Sequence, residues 1–84
     1  MKPLIAIPVY NEAAHARKVL AEVAKSGYEI LVIDDGSHDE TPKILHSIPG
    51  LHIVRHETNQ GYGAALASAF RFFLGYPSMA MNVF

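Results

Sequence analysis

Three apolar runs punctuate the chain: Leu4-Ile5-Ala6-Ile7, Ile30-Leu31-Val32-Ile33 and Leu51-His52-Ile53-Val54. The first two are continuous rather than alternating, which predicts strands buried on both faces, as in a parallel sheet covered by helices. Pro8 is expected to end the first strand. Beyond it, Ala16, Val19, Leu20 and Val23 recur at helical spacing, with Arg17, Lys18, Glu22 and Lys25 on the other face. Asn11 is the expected N-cap of that helix, and Gly27 marks its stop. Ile44, Leu45 and Ile48 form a shorter stripe after the second strand. Its start carries two signals, a capping box from Ser37 and Glu40 and a first-turn proline at Pro42, which place it at different residues. A third helix is predicted over residues 64–74, with Phe70 and Phe73 sharing a core face with Leu66 and Ala69.

The element order is therefore β-α-β-α-β-α, with crossovers long enough to join parallel neighbours. Right-handed crossovers turn that order into a three-layer α/β sandwich. No repeat or linker divides the chain, so residues 1–84 are expected to form a single domain.

Composition narrows the function classes. Half the residues are hydrophobic and 18% are charged, which argues against disorder. A formal net charge of −1 provides no basic field, so binding of nucleic acid through its phosphates is not expected. There are no cysteines, hence no disulfides and no thiolate metal sites. The five histidines, at positions 15, 38, 46, 52 and 56, form no i,i+4 pair on a predicted helix, and no zinc site is expected. No signal peptide is visible at the start, and the apolar-rich stretch over residues 72–84 is too short for a bilayer. A cytoplasmic chain without a transmembrane segment is expected.

The polar residues with chemical potential gather where the strands end. Pro8, Tyr10, Asn11 and Glu12 follow the first strand, and Asp34-Asp35-Gly36-Ser37 follow the second. His56, Glu57, Asn59, Gly61 and Gly63 follow the third. In open parallel sheets ligands bind outside these carboxyl ends. Carboxylates there can accept hydrogen bonds from ribose hydroxyls or a nucleobase N–H, and a glycine-rich turn lets backbone N–H groups approach phosphate. Each segment also has a plainer role: Asp34-Asp35-Gly36-Ser37 as a turn with a cap, Asn11-Glu12 as a cap and first-turn acid. Gly61-x-Gly63 does not complete a dinucleotide fingerprint, because Leu66 stands at the third glycine and the loop follows the third strand.

Taken together, three segments resemble the start of an inverting family 2 glycosyltransferase of the GT-A fold. They are Ile5-Ala6-Ile7-Pro8-Val9-Tyr10-Asn11-Glu12, the acidic run from Ile30 through Asp34-Asp35-Gly36-Ser37 to Thr41, and Asn59-Gln60-Gly61-Tyr62-Gly63-Ala64-Ala65. The similarity covers about residues 4–74 and points toward dolichyl- or polyprenyl-phosphate sugar synthases; residues 75–84 read as a divergent tail. The resemblance implies a truncated GT-A half-domain that binds the nucleotide of a UDP- or GDP-sugar. Pro8, Tyr10 and Glu12 would line its pocket. Ile33 and Asp35 would contact the base, Asp34 and Ser37 would shape the turn, and Gly61 would let the chain pass close to the donor. Asp35 is expected to have the ligand as its partner, so that its loss weakens binding without unfolding the chain.

The family also implies Mg²⁺ or Mn²⁺ held by an Asp-x-Asp motif, with a later carboxylate as base. Residues 58–84 contain no Asp or Glu. Catalytic residues and metal ligands are accordingly not expected within this chain. The alternative readings are a non-catalytic nucleotide-binding or interaction module, self-associating or completed by a partner chain, and a non-functional gene fragment. A polyprenyl-phosphate acceptor would place the parent enzyme at the cytoplasmic face of the membrane.

Overall fold

A computed structural model of the chain describes residues 2–75 and 79–83. The elements run β1 (Lys2–Val9), α1 (Ala13–Ala24), β2 (Glu29–Asp35), α2 (Thr41–Ser47), β3 (Leu51–His56), α3 (Tyr62–Leu74) and β4 (Met79–Val83). Every strand pairing is parallel, and the strand order is β3-β2-β1-β4. The expected α/β sandwich is present. It is extended by β4, which lies in the segment read from sequence as a divergent tail.

Handedness explains the layering. From β1 to β3 the chain steps outward in one direction, so right-handed crossovers put α1 and α2 on the same face. The step from β3 to β4 runs back across β2 and β1, which puts α3 on the opposite face. Alternation along the strands matches this division. Ile5, Ile7 and Val9 of β1 and Ile30 and Val32 of β2 pack with Ala16, Leu20 and Leu45 from α1 and α2. Leu4, Ala6, Leu31 and Ile33 pack with Ala65 and Ala69 of α3. Both central strands are therefore apolar on each face, as their continuous runs require.

Several local details differ from the sequence reading. Pro8 lies within β1, opposite Ile33. The described β1–β4 pairing ends at Ala6, so Pro8 sits where β1 has one described neighbour, a position that tolerates a residue without an N–H. Helix α1 starts after Glu12, not Asn11; Asn11 instead takes a left-handed conformation at φ 47°. Helix α2 obeys the Pro42 signal rather than the capping box, and Asp39 Oδ1 accepts the Thr41 N–H at 2.9 Å. In α3 the sheet-facing residues are Ala65, Ser68 and Ala69, while Phe70 is 51% exposed. Small residues won the buried face because they let the helix approach the sheet, and Phe72 and Phe73 pack at its margin. Val19 of α1 is likewise exposed. Tyr76 lies outside the described residues.

Candidate functional site

The reversal of direction between β1 and β4 is a topological switch point, and crevices open there at the carboxyl ends of parallel strands. A cleft of about 290 Å³ lies at this position. Pro8, Val9 and Tyr10 at the end of β1 form one wall, joined by Glu12 from the β1–α1 loop. Asp35 closes the end of β2. Asn59, Gly61, Tyr62 and Ala65 contribute the opposite side, from the β3–α3 loop and the first turns of α3. Tyr10 is 40% exposed, so its ring is available to a ligand.

Asp34 and Asp35 are adjacent in sequence, and strand geometry sends them to opposite faces of the sheet. Asp34 points to the α1–α2 side and is 1% exposed. Its Oδ1 accepts the Ser37 N–H at 3.0 Å, and its Oδ2 accepts Arg55 Nη1. Arg55 also donates to the Ser37 carbonyl at 2.9 Å. Ser37 Oγ in turn accepts the Asn11 N–H at 2.9 Å, and Asn11 Oδ1 accepts the His38 N–H at 2.8 Å. A further strut runs from the Ala13 N–H to Asp39 Oδ2 at 3.2 Å. These bonds tie the loop after β1, the turn after β2 and the end of β3 into one plate. Asp34 and Ser37 belong to that plate and not to the cleft wall.

Asp35 faces the α3 side. Its Oδ1 accepts His56 Nδ1 at 2.7 Å and the Gln60 N–H at 3.0 Å, and its Oδ2 accepts the Gly61 N–H at 2.9 Å. Burial alone would raise the Asp35 pKa. The hydrogen bonds from His56, Gln60 and Gly61 outweigh burial and hold the carboxyl below its ordinary value of 3.8. The group is thus a fixed carboxylate at physiological pH, an acceptor only. Gly61 adopts φ 91°, a conformation that favours glycine, and this aims its N–H at Asp35.

Of the residues singled out in the sequence, Pro8, Tyr10, Glu12, Asp35 and Gly61 meet at the cleft. Ile33 does not: it is fully buried against α3. Asp35 also differs from expectation in having three intramolecular donors as well as an exposure to the cleft, so truncating it would strip partners from His56 and from two backbone N–H groups. The sequence placed Asn59 and His56 among the polar residues at the strand ends without giving either a role; Asn59 joins the cleft wall and His56 lies behind Asp35, whereas Tyr62 and Ala65 in the wall and Ser68 beyond His56 were not singled out. What brings His56 to Asp35 is the strand register, which sets the two directly opposite each other.

The donor set does not fit a divalent cation. No group of three or more His, Asp or Glu side chains converges among the described residues. The carboxylates at the cleft are Asp35 and Glu12, and Asp35 is already committed to three N–H donors. No chemical step is therefore assigned to a metal here. Among the described residues no helix is long and apolar enough to cross a membrane.

Comparison with known proteins gives this geometry a context. The family described as "Glycosyl transferase family 2" matches residues 4–76. An undecaprenyl-phosphate 4-deoxy-4-formamido-L-arabinose transferase of Enterobacter sp. (strain 638) is 38% identical over 71 residues, covering 74% of this chain and 22% of that protein. The glycosyltransferase AglE of Haloferax volcanii is 40% identical over 70 residues, covering 73% of this chain and 23% of the relative. An uncharacterized protein of Methanocaldococcus jannaschii is 36% identical over 73 residues, with 86% and 30% covered. The chain thus spans a third or less of the length of these relatives. With the cleft at the switch point and the family match running from Leu4 in β1 through the end of α3, the chain belongs to glycosyl transferase family 2.

Proposed function

We propose that this chain carries the donor-nucleotide site of a sugar transferase that uses a UDP- or GDP-linked sugar, with a polyprenyl phosphate as acceptor of the whole enzyme. The observation that carries this reading is the Asp35 carboxylate, ionised and held at the rim of the switch-point cleft. Uracil and guanine each present a ring N–H that such an acceptor can take, and a buried acceptor left unmatched by a wrong base is costly. Tyr10 and Pro8 offer apolar surface to the base, and Glu12 can accept from ribose hydroxyls. What these residues do is bind and orient the donor. The divalent ion used by the family would stabilise the leaving nucleoside diphosphate, but the residues described supply no fitting ligand set. The acceptor reading rests on the name of the arabinose transferase relative, and it would bring the enzyme to the cytoplasmic face of a membrane.

Titration of the 84-residue chain with UDP and with GDP, followed by amide NMR, tests the donor reading. Saturable shifts are expected at Tyr10, Asn59, Gly61 and Ala65, with none at Lys25 or Ser47, which lie at the far ends of α1 and α2. A folded chain whose cleft amides ignore both nucleotides would overturn it.

A further inference from the structure

Behind Asp35 lies a chain of side chains that the donor site does not itself use. His56 Nδ1 meets Asp35 Oδ1 at 2.7 Å, His56 Nε2 meets Ser68 Oγ at 2.7 Å, and Arg71 Nη2 donates to Ser68 Oγ at 3.1 Å. Ser68, His56 and Asp35 have the connectivity of a hydrolytic triad. Access decides against that chemistry: Ser68 is 6% exposed, His56 is 9% exposed, and neither lines the cleft. No substrate carbonyl could reach the hydroxyl.

The hydrogen bonds have a direction. An ionised Asp35 can only accept, so the proton between it and His56 belongs to Nδ1. In the neutral imidazole Nε2 is then an acceptor, and Ser68 must donate to it. Arg71 has no acceptor, so it occupies a lone pair of the Ser68 oxygen and leaves the hydroxyl proton for His56. At Asp35 the consequence is an asymmetry. Oδ1 is filled by His56 and Gln60, whereas Oδ2 carries one bond from Gly61 and has capacity left for a ligand.

Resting on the donor-site reading above, we infer that Ser68 and His56 are positioning residues that hold the Asp35 carboxylate in the orientation that turns Oδ2 to the cleft, and so sharpen its selection of ligands presenting an N–H over ligands presenting a lone pair. UDP and CDP are the matching probes, since uracil offers N3–H where cytosine offers an unprotonated N3. The wild-type chain prefers UDP. Ser68→Ala is the informative variant because alanine suits a helix interior and removes one oxygen.

The experiment measures UDP and CDP affinities and the ring ¹⁵N shifts of His56, at mildly alkaline pH, for the wild type, Ser68→Ala and Ser68→Thr. Amide dispersion checks the fold of each. The expected result is a wild-type His56 held as the Nδ1–H tautomer, a Ser68→Ala ring that keeps this tautomer, which Asp35 fixes, but whose Nε2 resonance moves on losing the Ser68 hydroxyl, and a UDP-over-CDP ratio reduced roughly two- to tenfold, the range of one hydrogen bond. Ser68→Thr, which keeps the hydroxyl, restores both. A Ser68→Ala chain that keeps the UDP-over-CDP ratio overturns the inference while leaving the donor reading intact. Equal losses for UDP and CDP also overturn it, since they mark a merely structural role. A wild-type cleft that responds to neither UDP nor CDP overturns this inference, and one that ignores GDP as well overturns the donor reading with it.

Discussion

At the scale of single residues, two positions control the cleft. Gly36 sits at φ 81°, and a Cβ added there would lie 2.5 Å from both the Asn59 nitrogen and the Thr58 carbonyl carbon. The turn after β2 and the loop after β3 touch backbone to backbone at this point, which is how Asn59 reaches the cleft wall. Gly36→Ala combines an unfavourable conformation with a clash that no side-chain rotation relieves. It is expected to cost at least about 2 kcal/mol, read as a lowered urea midpoint at unchanged slope. Asp35 is the second position. Its folded-state pKa is below the unfolded value of 3.8, so on acidification the unfolded chain takes up the proton first. Its contribution to stability is complete above that value and is lost as pH falls through the lower folded one. Urea midpoints measured across this acid range should therefore fall with pH in the wild type, and the fall should be shallower in Asp35→Asn.

Among the elements, β2 bears the greatest structural demand. It lies between β1 and β3, is covered on one face by α1 and α2 and on the other by α3, and delivers Asp34 and Asp35 at its end. Leu31 is fully buried on the α3 side. Leu31→Ala should cost about 2–5 kcal/mol by loss of burial and formation of a cavity. Against a stability of about 5–15 kcal/mol for an ordinary domain, that is a large share, and the denaturation midpoint is the measurement that reveals it. Helix α3 shows the limit of sequence periodicity. Its aromatic residues invited a core assignment, yet Ala65, Ser68 and Ala69 face the sheet. Close approach of helix to sheet favours small side chains there, and the same approach brings Ser68 within reach of His56.

Considered as a whole molecule, the parts of the cleft are held by two separate hydrogen-bond systems on opposite sides of the sheet. The Asp34 plate fixes the loops after β1 and β2 to the end of β3, and the Asp35 network fixes the loop that leads into α3. A ligand spanning the cleft would join groups from both systems and bind only when both are formed. Nucleotide binding should therefore raise global stability. At a free UDP concentration one hundred times its Kd, the unfolding free energy should increase by about 2.7 kcal/mol, measurable by chemical denaturation with and without nucleotide. An unchanged midpoint under saturating ligand would show that binding, if it occurs, does not require the folded cleft.

The sequence alone determined the first six elements and their parallel arrangement, because continuous apolar runs, helical stripes and turn residues are local signals. It also placed Pro8, Tyr10, Glu12, Asp35 and Gly61 near one another, since parallel strands bring all their carboxyl ends to one edge. Other features depended on partners distant along the chain. The segment of β4 is apolar at Met79, Ala80, Met81 and Val83, but Ala80 and Asn82 are poor strand formers; Met79–Val83 becomes a strand by pairing with the open side of β1. The separate tasks of Asp34 and Asp35 follow from the face each takes in the sheet, and the partnership of Asp35 with His56 and Ser68 follows from strand register and from α3 crossing back over β2. These are long-range geometric facts, and only the tertiary structure decided them.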